Sequence, residues 1–176
     1  MPGFVAGMHR HMRSLRSMKR DHGWIGELLE ESQNERMHLL IWMEHTKPTL
    51  IERGFVLFAQ FAYVSAYSAM YVLSPQTAHR SVGYLEEAAQ RAYNEYLEAI
   101  DKGKIANVPA GVIAKQFYRL PENAMLRDVV LHVRGDEAYH AMFNHHLADK
   151  IKNGKMDDEP VLPEQDNDAK KEGYKE

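Results

Sequence analysis

Two Glu-x-x-His tetrads, Glu35-Arg36-Met37-His38 and Glu137-Ala138-Tyr139-His140, lie within long proline-free stretches and constrain the fold more than any other feature of this chain. On an α-helix, residues three apart share a face, so each tetrad aims a carboxylate and an imidazole in one direction. Two such helices side by side can hold a pair of cations, each carboxylate bridging and each imidazole binding terminally. The spacing alone proves little. With the Glu and His content of 176 residues, roughly one such tetrad arises by chance. Placement adds more: Glu86 lies 51 residues from both Glu35 and Glu137, again among apolar positions where an isolated charge is costly. Ion pairs on a helix surface are the competing reading of the same residues.

Apolar residues recur at three- and four-residue steps along most of the chain, and alternating patterns are scarce, so the expected class is all-α. The spacing predicts helices over 2–22, 24–46, 48–73, 74–102, with Ser74 and Pro75 at its start, and 123–151, plus a short one over 110–118. The first is amphipathic, with Phe4, Val5, Met8, Met12, Leu15 and Met18 as its apolar stripe. Residues 1–155 read as one domain, a helical bundle, and 156–176 as a solvated acidic tail with little to bury.

Formal net charge is −3, which gives no reason to expect a nucleic-acid partner. The charge is uneven: Arg10, Arg13, Arg16, Lys19 and Arg20 stand near one end, and Asp157, Asp158, Glu159, Glu164, Asp166 and Asp168 near the other. The basic stretch reads by default as a solvated face, and next to a membrane it could meet anionic headgroups. There is no cysteine, so disulfides, thiolate ligands and thiol nucleophiles are excluded from this chain. A metal must then use imidazole and carboxylate, which favours iron, manganese or zinc over copper(I).

The segments Asn34-Glu35-Arg36-Met37-His38-Leu39-Leu40, Tyr84-Leu85-Glu86-Glu87-Ala88 and Arg134-Gly135-Asp136-Glu137-Ala138-Tyr139-His140 resemble, in order and spacing, the signature segments of the alternative oxidases. The likeness spans roughly residues 1–150 and includes Arg13-Ser14-Leu15-Arg16, His79-Arg80 and the Lys47-Pro48 corner. It implies a ferritin-like di-iron four-helix bundle with an additional interfacial helix. The activity implied is oxidation of ubiquinol and reduction of dioxygen to water, insensitive to cyanide, at two non-haem iron ions. By motif position it implies Glu35, Glu86, Glu137, His38 and His140 as metal ligands and Tyr93 as a redox-active catalytic tyrosine. Asn34, His79 and Asp136 would hydrogen-bond those ligands, and Leu85, Glu86 and Ala89 would line a quinol pocket. The family has one more carboxylate ligand, on a helix continuing into a segment like residues 1–17. It would stand one to two turns before Met1, so an N-terminally truncated oxidase is expected, lacking the first family helix and part of the second.

Departures are small: Ala88 stands where the family usually has a third consecutive Glu, and Ala92 precedes Tyr93 where Thr is common. Residues 54–73 carry no formal charge and could just span a bilayer, but Tyr63, Tyr67, Tyr71, Gln60, Ser65 and Ser68 suit an interfacial helix better. A buried bundle helix is the bland alternative. The resemblance implies a monotopic enzyme, a homodimer at full length, in the mitochondrial inner membrane of a eukaryote or the inner membrane of a bacterium. Competing readings are a ferroxidase or iron-storage bundle, a plastoquinol oxidase, and an inactive homologue.

Overall fold

The computed structural model describes residues 1–156 and 158–160, and among them the chain is all-helical. Six helices follow in order: α1 Pro2–Ser17, α2 Trp24–Thr46, α3 Leu50–Leu73, α4 Pro75–Asp101, α5 Val112–Tyr118 and α6 Leu126–Lys152. The expected helices are all present, with ends moved by a few residues. The first stops at Ser17 because Met18 turns left-handed (φ 52°) and its N–H, with that of Lys19, returns to the last turn's carbonyls. Helix α3 starts with a capping box: Glu52 N–H donates to Thr49 Oγ1, and Thr49 N–H donates to Glu52 Oε2 at 2.7 Å. Ser74 accepts from Thr77 N–H ahead of α4, as its position predicts.

The fold divides into two compact units interleaved along the chain, and α2, α4 and α6 each contribute to both. The described part of the first unit comprises Met1–Arg36, Pro48–Val82 and residues 144–156 and 158–160. Its core holds Val5, Ala6, Trp24, Leu28, Tyr67, Tyr71, Val82 and Leu147. Within it α1 packs on α2 through its smallest residues. A Cβ on Gly3 would stand 2.5 Å from Leu28 O, so glycine permits the approach. The expected apolar stripe of α1 is therefore corrected: Val5 is buried, but Phe4, Met8, Met12, Leu15 and Met18 are exposed. Close backbone approach rewards Gly3, Ala6 and Gly7 on the inner face and turns the larger apolar side chains outward.

Helix α3 belongs to the same unit and is largely bare. Phe55, Phe58 and Phe61 are 70–73% exposed, while Tyr67 and Tyr71 are buried. The buried-helix alternative for this segment is thus set aside. His9 of α1 joins α3 by a 2.6 Å hydrogen bond to Ser68 Oγ and by stacking on Tyr71. The expected tail from residue 156 makes a contact with α2 at its start. Trp24 Nε1–H donates to Asp158 O at 2.8 Å and Pro160 is buried, while Asp158 and Glu159 are exposed. The rest of that expected tail lies outside the described residues.

The described part of the second unit comprises Met37–Lys47 and Gly83–Phe143. Ile41, Ala110, Ala114, Ala124, Val129 and Val133 form one buried cluster, flanked by Trp42, Tyr93 and Tyr118. Leu97, Ile100, Leu126 and Val130 form a second. An isolated antiparallel bridge between Pro109 and Met125 sets the path into and out of α5. Glu44 then caps α5, accepting from Val112 and Ile113 N–H at 3.2 and 3.0 Å.

Candidate metal centre

The second unit brings together most of what the tetrads promised. His38 of α2 and Asp136, Glu137 and His140 of α6 are buried. His38 Nδ1 lies 3.2 Å from Glu137 Oε1, and its Nε2 lies 3.1 Å from Asp136 Oδ2. Asp136 Oδ2 also accepts from Tyr118 O–H at 2.7 Å. Asp136 holds the ring at Nε2 and leaves Nδ1 facing Glu137, the side from which a metal would be bound. The His38 and His140 rings stand 6.1 Å apart, and His140 Nδ1 is 3.9 Å from Glu137 Oε2.

Glu35 precedes His38 by one turn of α2. Glu137 and His140, three residues apart on α6, offer a carboxylate and an imidazole that could hold a metal ion. Glu86 is buried on α4. The donor chemistry fits iron: carboxylate and imidazole without thiolate match a hard or borderline cation.

Tyr93 is half-buried, stacked on Trp42 with ring centroids 5.8 Å apart, and it accepts Trp42 Nε1–H at 3.0 Å. Leu85 is exposed and Ala89 half-buried on the α4 turns around Glu86. Asn34 is half-buried beside Glu35. His79 sits in the first unit, where it is fully buried. Its Nδ1 meets Asn144 Oδ1 at 2.9 Å and its Nε2 meets the Tyr71 hydroxyl at 3.3 Å. Asn144 Nδ2 in turn donates to the buried Glu31 at 2.9 Å. Burial holds the His79 pKa down to about 4 and raises Tyr71 to about 12.

Sequence reasoning passed over Tyr118, Trp42, Glu31 and Asn144. Three of them carried a signal: Trp42 and Asn144 follow a tetrad histidine by four residues, and Glu31 precedes Glu35 by four, the spacing of helical neighbours. Tyr118 had none, since it reaches Asp136 from α5.

The family model for alternative oxidase matches residues 1–149. The chain belongs to the alternative oxidase family. It is 52% identical over 151 residues to a mitochondrial ubiquinol oxidase of Batrachochytrium dendrobatidis, covering 86% of this chain and 48% of that protein. It is also 52% identical over 149 residues to mitochondrial ubiquinol oxidase 2 of Nicotiana tabacum, covering 85% of this chain and 50% of that protein. With mitochondrial ubiquinol oxidase 1a of Arabidopsis thaliana the identity is 51% over 149 residues, covering 85% of the chain and 42% of the relative. The chain thus spans about half the length of the relatives it matches. The alternative-oxidase resemblance and the all-α class read from the sequence both hold.

Proposed function

We propose that this chain is the catalytic part of a ubiquinol oxidase that reduces dioxygen to water at two non-haem irons on a membrane surface. The observation that carries the reading is the buried set of His38, Glu137 and His140 within one unit, in a chain of this family. Glu35, Glu86 and Glu137 with His38 and His140 would hold the irons. When bound, the metal pair supplies the site at which dioxygen accepts electrons drawn from quinol.

The chain's own residues prepare that site. Asp136, held by Tyr118, fixes His38 so that one nitrogen is committed to hydrogen bonding and the other to the ligand side. Trp42 donates its Nε1–H to the Tyr93 oxygen and so helps hold in place the phenol that would serve as the redox-active tyrosine. Leu85 and Ala89 would border the quinol headgroup beside Glu86.

The exposed Phe55, Phe58 and Phe61 of α3, with Phe4, Met8 and Met12 of α1, suit the acyl boundary of a leaflet. This apolar surface favours the oxidase over an iron-storage shell, which has no use for it. The relatives' mitochondrial names support the same compartment here, and a homodimer is part of the proposal.

The test is quinol-dependent oxygen uptake in membranes containing the protein, with cyanide present, together with iron content. Cyanide-insensitive uptake abolished by Glu86→Ala is the expected result. Iron binding without quinol-dependent uptake would overturn the oxidase reading, and uptake unchanged in Glu86→Ala would overturn that ligand.

A further inference from the structure

The first unit carries a basic cleft that the oxidase reading leaves unused. Arg10, Arg13, Lys19 and Arg20 line it, with the Ser14 and Ser17 hydroxyls and a single carboxylate, Asp21. It lies at the C-terminal end of α1 and the turn into α2, where cations outnumber acids.

Arg10 is buried, contrary to the solvated face expected for this basic stretch. Its Nε donates to Asp21 Oδ1 at 2.7 Å, and its Nη2 donates to the main-chain oxygens of Asp21 and Met156. The guanidinium carbon lies 4.1 Å from the Trp24 ring centroid. The remaining nitrogen, Nη1, is buried with no hydrogen-bond partner among the described residues. A buried charged donor left unmatched is costly, so the site calls for an acceptor. Asp21 is already committed, since its second oxygen accepts from Ile25 N–H at 2.5 Å and so starts α2. The serine hydroxyls are committed too, Ser14 to Lys19 O and Ser17 to Arg13 O.

We propose that this cleft binds a soluble phosphate-bearing anion, its phosphate held by Arg13, Lys19 and Arg20 over the buried Arg10 guanidinium. Several guanidinium groups around one point suit a tetrahedral group with several charged oxygens better than a single planar carboxylate. A phospholipid headgroup shares that chemistry but not the geometry. At about 100° per residue, Arg10, Arg13 and Ser17 lie on the side of α1 away from Phe4, Met8, Met12 and Leu15, the residues that would meet a bilayer. The inference stands independently of the oxidase reading.

Trp24, beneath Arg10, supplies the probe. The full chain is titrated with inorganic phosphate at constant ionic strength while tryptophan fluorescence is followed. The expected result is one saturable transition, weakened about tenfold or more when charge-assisted contacts are lost in Arg13→Gln/Arg20→Gln. Both side chains are exposed, so the helical circular-dichroism spectrum is retained. In Arg91→Gln/Lys104→Gln, which removes two exposed cations of the other unit, the transition is unchanged. Absence of saturation, or equal loss in both double variants, would overturn the site. Vesicles of phosphatidylcholine with and without an anionic phospholipid separate the sources. Selective loss of anionic-vesicle binding in Arg13→Gln/Arg20→Gln, with no phosphate response in solution, would overturn the soluble assignment.

Discussion

Replacing His79 with Gln should flatten the acid limb of the stability curve. His79 is fully buried and its pKa falls from 6.5 to about 4, chiefly through burial, opposed by the Asn144 hydrogen bond and reinforced by the charge of Arg10. The groups around it are Tyr71, Asn144 and Trp24, with Glu31 reached through Asn144. The folded state keeps this imidazole neutral while the unfolded chain protonates it near pH 6.5, so between those values the unfolded state binds more protons. Stability is then fully present above pH 6.5 and is lost as pH falls toward 4. The whole shift corresponds to about 3 kcal/mol, of which about 2 kcal/mol is lost by pH 5. Urea unfolding followed by far-ultraviolet circular dichroism at pH 7.5, 6 and 5 measures it. Carboxylates titrate in both proteins, so the informative quantity is the difference in slope. The wild type should lose about 2 kcal/mol more than His79→Gln over this range, whatever constant offset the substitution brings. Parallel curves, or a steeper acid loss in the variant, would refute the reasoning.

Three further outcomes follow from other contacts. Gly3→Ala places a Cβ 2.5 Å from the Leu28 carbonyl oxygen, a backbone atom that cannot swing away, and should cost about 1–3 kcal/mol in the same urea assay. Asp136→Asn removes the carboxylate that orients His38 and should lower iron affinity about 10- to 100-fold, read as iron retained after dialysis against a chelator; full retention would count against that orienting role. Phe58→Ser with Phe61→Ser should weaken partitioning onto neutral vesicles by at least about tenfold, since each exposed ring contributes on the order of 1.5–3 kcal/mol when fully buried; unchanged sedimentation with vesicles would remove α3 from the membrane face.

How much of this protein could be read without coordinates depends on the range of the interaction. Helix identity and length follow from residues within a few positions of one another, so α2, α4 and α6, and the tetrads that α2 and α6 carry, were legible from spacing, caps and prolines. The pairing of Glu35 with His38 and of Glu137 with His140 along their helices was legible for the same reason. Which face of α1 turns inward was not. Its large apolar residues form the evident stripe, yet the close approach that Gly3 permits buries the small side and leaves Phe4 and Met12 outside. Nor could the sequence show that Arg10 is buried on Trp24, that His79 is neutralised between Asn144 and Tyr71, or that Tyr118 reaches Asp136. Periodicity reports which residues share a side of one helix. The partner across the gap, and with it the charge state of a buried group, is decided only when distant segments meet and water is excluded between them.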